Sequence, residues 1–202
     1  MLRLRLFRSF GSLVGALLIA SCADPTLQSL TAPAEAVSSR GPGSTGSLTN
    51  PADLELHALW WSDNYRRQVR VSQRIDQSGG RISIPETGFT MDIPAGAVSG
   101  ALTITVTADD RYVAYKMEPT GTQFKKDVTI TQSLRKTTLA GQPLRNQLYA
   151  AFIPDDNTSL SGKVPVLEIE PSRTIFSTLN ALIPEAQVWI IRHFSRYMLA
   201  SG

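Results

Sequence analysis

The sequence predicts an all-β domain, an antiparallel β-sandwich. Three observations predict it. From Val69 onward, apolar residues alternate with polar ones at period two. Glycine and proline interrupt the alternation at spacings of about ten residues, as the turns of a sandwich or barrel do. No long stripe at helical spacing follows residue 68.

The elements follow in order. VRVSQRI (69–75) places Val69 and Val71 on one face, and Ser78-Gly79-Gly80 turns the chain. RISI and FTMDI alternate on either side of a Pro85-to-Gly88 turn. Pro94 has no amide hydrogen to donate, so it ends ladder pairing before ALTITVTA (101–108) begins. YVAYKME and DVTITQSL flank Pro119-Thr120-Gly121. QLYAAFI, VPVLEIE, RTIFSTL and AQVWIIRHFSRYML complete the pattern, for about nine to eleven strands. The last of these reads as one closing strand. In it Trp189, Ile191, His193 and Ser195 share one face, and Phe194 lies on the other.

Two polar stretches, 135–146 and 154–163, read as loops. Asp155, Asp156 and Asn157 lack the alternating acidic spacing and closing glutamate of a calcium loop, so they read as turn residues. Asp109-Asp110 reads as another turn. Neither a cofactor nor a metal site is expected.

The N-terminus carries the most specific signal. Arg3, Arg5 and Arg8 precede a short apolar run and then Ile19-Ala20-Ser21-Cys22. A basic start, a short apolar core and small residues at a cut form a secretory signal. The apolar run falls short of the ~20 residues a spanning helix needs. Ile19, Ala20, Ser21 and Cys22 resemble the bacterial lipobox. That resemblance implies cleavage after Ser21 and acyl chains on Cys22, the chain's one cysteine. It further implies a bacterial envelope location, at the outer membrane facing the periplasm or the surface, with the membrane as a partner.

Loss of residues 1–21 removes three arginines and no acid, and leaves 17 cationic and 17 acidic residues. A chain of zero formal net charge offers no basic field to displace phosphate counterions, so no nucleic-acid partner is expected. Residues 22–50 contain no aromatic residue and are rich in Ser, Thr, Ala, Gly and Pro. Such a composition cannot bury enough apolar surface to offset its ordering entropy, and it reads as a disordered, flexible tether behind the lipidated cysteine. Its mean reach is about 30 Å. Residues 51–68 form a lead-in, read either as a short helix or as an irregular strand, and residues 69–202 form the sandwich.

Three stretches resemble the ZU-five domain: GGRISIPETGFTMDIPAGAVSGALTITV (79–106), MEPTGTQFKKDVTIT (117–131) and EAQVWIIRHFSRYMLA (185–200). The resemblance implies a β-sandwich that binds partners rather than an enzyme. In some members a His-Phe-Ser stretch of the closing strand cleaves itself. Carried over, Ser195 is the nucleophile, His193 its base or orienting group, and Phe194-Ser195 the scissile bond.

The main expectation is a non-enzymatic, lipid-anchored envelope protein that contacts a protein or a surface polymer. Self-processing at Phe194-Ser195 is the first alternative. A carbohydrate-binding module is the second, with Trp60 and Trp61 as a stacking platform for a polysaccharide.

Overall fold

The computed structural model describes residues 54–202. Ile19, Ala20, Ser21, Cys22 and the tether lie outside the described residues. Two antiparallel sheets pack face to face as a sandwich. The strands are β1 (His57–Ala58), β2 (Arg70–Ile75), β3 (Gly80–Ile84), β4 (Phe89–Ile93), β5 (Leu102–Ala108) and β6 (Ala114–Glu118). They continue as β7 (Gln123–Ser133), β8 (Leu148–Ile153), β9 (Glu168–Glu170), β10 (Ser172–Phe176), β11 (Pro184–His193) and β12 (Arg196–Ser201). The first sheet runs β2-β5-β6-β12-β8-β9, with β1 also paired to β12. The second runs β10-β11-β7-β4-β3. The described residues contain no α-helix, only a 3-10 turn at Leu134–Lys136.

The lead-in forms no helix among the described residues. Its main chain bridges Trp60 to Tyr112 and Trp61 to Thr137, and Leu59 donates to the carbonyl of Leu199 at 2.8 Å. These long-range bonds replace the local ones a helix would need, because the segment runs in the plane of the first sheet, paired to β12.

The first sheet has an apolar layer on both faces, and the lead-in supplies side chains to each. Between the sheets lies the main core, with Ile82, Phe89, Met91, Ile104, Tyr115, Met117, Ile130, Trp189 and Leu199. On the outer face, Leu56 and Ala58 pack with Leu160, Val164, Ile153, Met198 and Ala200. Strand β12 lies centrally in that sheet. Tyr197 and Leu199 enter one layer and Met198 and Ala200 the other, which accounts for its unbroken buried run.

The expected single closing strand is two strands in two sheets. β11 ends at His193 in the second sheet, and β12 begins at Arg196 in the first. Residues 193–195 are therefore the crossing between sheets. A register shift against β7 between Ile191 and His193 breaks the alternation. As a result Trp189, Ile191 and Phe194 all enter the same core, against the expectation that Phe194 faces the other way.

The crossing is fastened to the turn after β6. Phe194 donates from its amide to the Thr122 carbonyl at 2.8 Å and accepts from the Gly121 amide at 3.0 Å. The Phe194 and Phe124 rings meet edge to face at 4.7 Å. Gly121 holds φ +81°, a conformation that L side chains rarely adopt. Two of the stretches quoted above, MEPTGTQF and the closing run, are thus in contact.

Three residues inside the sandwich, Tyr115, Gln132 and Thr87, form a hydrogen-bonded chain. Tyr115 donates to Gln132 Oε1 at 2.6 Å, and Gln132 Nε2 donates to the carbonyl of Thr87 at 2.6 Å. Loop residues expected to form turns do so. Asp155 accepts from the Asn157 amide at 2.8 Å and the Thr158 hydroxyl at 3.0 Å. Asp109 accepts from the amides of Arg111 and Tyr112.

Candidate functional site

Two features of one flank stand out. β9 is the edge of the first sheet, β10 is the edge of the second, and Pro171 alone separates them. In β9, Glu168 pairs with Phe152 and Glu170 with Ala150. Directly opposed residues share a face of the sheet, and Phe152 and Ala150 belong to the inter-sheet core. Both carboxylates are therefore on the side that a sandwich reserves for apolar residues. Ile169, between them, packs with the outer apolar layer instead.

Glu170 is only 7% exposed. Burial, and then the neighbouring charge of Glu168, raise its pKa to about 7. Across from the pair stands His193, at the end of β11. One ligand atom from each of Glu168, Glu170 and His193 lies within 4.8 Å of the others. Tyr197, from β12, donates its hydroxyl hydrogen to the His193 carbonyl at 2.9 Å, and its oxygen lies 3.2 Å from His193 Nδ1. Phe152 meets the imidazole edge-on at 5.0 Å. Burial and the two carboxylates hold the Tyr197 phenol well above its ordinary pKa, so it stays protonated.

The second feature is apolar. Beyond β10 the chain turns back through residues 177–183 into β11. Leu179 is 97% exposed, and Leu182, Ile175 and Phe176 are also open to solvent, as is Leu167 just before β9. Ile175 and Phe176 flank a register shift between β10 and β11, and both are exposed. The turn of this hairpin is tied to the 143–146 loop, where the Leu144 amide donates to the Leu182 carbonyl at 2.9 Å.

The residues named from sequence fare differently. Trp60 and Trp61 do not form a platform. Trp61 is 3% exposed, donates from Nε1 to the Asp109 carbonyl at 3.0 Å and packs against Tyr65 and Tyr115. Trp60 is 46% exposed and leans on Tyr112 at 4.7 Å and 52°. Consecutive residues of an extended chain face opposite ways, which separates the two rings. His193, Phe194 and Ser195 occupy the crossing between sheets. The side-chain hydrogen bond of His193 runs to Tyr197 rather than to Ser195. The Phe194 ring is buried, and its carbonyl already accepts from Gly121.

The sequence reading passed over Glu168 and Glu170. Their signal was present in EIE, where acids alternate with one isoleucine in a strand context. Which side of that strand is inward depends on register, and register is not written in so short a run.

A cleft of about 440 Å³ is lined by Arg66, Arg67, Lys116 and Arg196 together with Asp109, Asp110 and Asp156. Two of its cations serve the fold. Lys116 pairs with Asp156, and Arg196 donates to the carbonyls of Asp155, Asp156 and Thr158.

Fold and site together define a two-sheet β-sandwich with one polar, partly open flank. Neither a family model nor a curated protein matches this chain. No helix among the described residues is long and apolar enough to cross a membrane.

Proposed function

We propose that this is a lipid-anchored envelope protein whose sandwich is a binding module for a protein partner, in keeping with its resemblance to ZU-five domains. The observation that carries the reading is the β10–β11 hairpin, which lifts Ile175, Phe176, Leu179 and Leu182 into solvent. Exposed apolar side chains grouped on one element mark contact surfaces, whereas singly scattered ones are ordinary. They are aliphatic in the main, which favours a protein surface over a sugar. The free backbone edge of β10 adds unpaired amides and carbonyls that an extended partner segment can use. The anchor on Cys22 and the tether behind it place this hairpin within reach of other envelope proteins.

The test has two arms. Labelled fatty acid is incorporated into the wild-type chain and lost in Cys22→Ala; incorporation that survives the substitution ends the anchoring claim. A photo-crosslinking residue at position 179 or 175, in cells expressing the full chain, captures a discrete protein adduct that the same residue at position 72 on β2 does not. Equal or absent adducts at these sites end the binding claim.

A further inference from the structure

We propose that Glu168, Glu170 and His193 form a binding site for a borderline divalent metal ion of the zinc type, with Tyr197 as the residue that positions the imidazole. The proposal rests on the geometry of the open flank and is independent of the binding-module reading.

Three observations carry it. The first is convergence. Glu168 and Glu170 come from the edge of one sheet and His193 from the end of a strand in the other, and their ligand atoms already lie within 4.8 Å of one another. Ligands about 2.0–2.2 Å from a tetrahedral zinc ion stand about 3.3 Å apart. Rotation of the exposed Glu168 side chain supplies much of the remaining approach.

The second is like charge. Glu170 is 7% exposed, and the charge that acts on it is that of Glu168, of the same sign. Two carboxylates turned to one side of a strand repel each other, and proteins commonly set such pairs against a cation or a metal. A divalent cation between the two acids and His193 relieves that repulsion.

The third is the support behind the histidine. Tyr197 gives its hydrogen to the His193 carbonyl, so its oxygen is left to accept from Nδ1–H. With Nδ1 held in this way, Nε2 is the ring nitrogen left to meet a metal. Metal-binding histidines characteristically have their other nitrogen held in this way. Phe152 covers one side of the ring. Imidazole together with carboxylates suits zinc and its neighbours, whereas calcium asks for six to eight oxygens that this flank does not offer. Three protein ligands leave a further coordination position open to water or to a group from outside the chain.

The experiment uses the full chain, solubilised in detergent and stripped with EDTA, titrated with zinc chloride and with calcium chloride by calorimetry and followed by thermal unfolding. One zinc ion binds per chain and raises the unfolding temperature; calcium does neither. Glu170→Gln weakens zinc binding at least tenfold while leaving the metal-free protein at pH 7 as stable as the wild type or more so, which separates loss of a ligand from loss of the fold. His193→Gln is the second ligand variant, with the same loss of affinity. Tyr197→Phe keeps all three ligands, lowers affinity about tenfold and alters the visible spectrum of the cobalt-substituted protein. No saturable zinc binding, calcium binding as tight as zinc, or unchanged affinity in both Glu170→Gln and His193→Gln overturns the proposal.

Discussion

The two flanks of the sandwich have the same construction and opposite chemistry. On one, β2 ends the first sheet and β3 ends the second, and the chain passes directly between them through Asp76–Gly79. On the other, β9 and β10 end the same two sheets, and the chain passes between them at Pro171. The first flank is sealed with Ile75, Ile82 and Ile84, all buried. The second turns Glu168 and Glu170 inward and Ile175, Phe176 and Leu179 outward. A fold-driven design would use the first solution twice. The inversion of inside and outside on the second flank is therefore the strongest pointer to function in the domain.

Substitutions break this comparison in graded steps. The largest effect belongs to the sealed flank. Gly79 holds φ +77°, and a Cβ there would lie 2.3 Å from the Ile93 carbonyl oxygen. Gly79→Ala should cost about 3 kcal/mol or more in urea unfolding, as should Ile82→Ala in the core beside it.

Next comes Glu170, where the effect depends on pH. In metal-free protein its pKa, raised from 4.5 to about 7, means that the folded state keeps a proton that the unfolded chain releases. Stability is then full below about pH 4.5 and falls as pH rises toward 7, by on the order of 2 kcal/mol. The groups facing it are Glu168, His193 and Tyr197. Glu170→Gln should flatten that part of the stability curve in EDTA; a curve as steep as that of the wild type contradicts the assignment.

Smaller still is the contrast within the tryptophan pair. Trp61→Phe should cost about 1–2 kcal/mol through lost packing and the lost bond to Asp109. Trp60→Phe should lie within about 0.5 kcal/mol. At the β10–β11 hairpin, Leu179→Ser should leave stability within about 0.5 kcal/mol while abolishing the crosslinked adduct. Ser195→Ala should lower the intact mass only by the one oxygen atom it removes, each protein running as one uncut species.

The sandwich itself was legible because alternation and turn residues are local signals. Isoleucines at 82 and 84 announce an inward face wherever the strand is placed. Three things were not legible. The break at 193–195 depends on a bulge against β7, a partner distant in sequence, and the local run reads through it as unbroken strand. The lead-in's course depends on bonds to Asp110, Arg111 and Lys136, none of them nearby in the chain. The inward carboxylates depend on the register of a three-residue strand. In each case the deciding contact lies outside any short window, and the site was missed where local preference gives way to long-range pairing.

The position of β12 has a consequence for how the domain comes into being. It stands between β6 and β8, so before residues 196–201 are made the first sheet exists only as two separate pieces. A chain made from its N-terminus therefore has β2-β5-β6 and β8-β9 unjoined until β12 enters between them. Closure of the first sheet is thus a long-range event, of the kind whose loop-closure entropy slows folding.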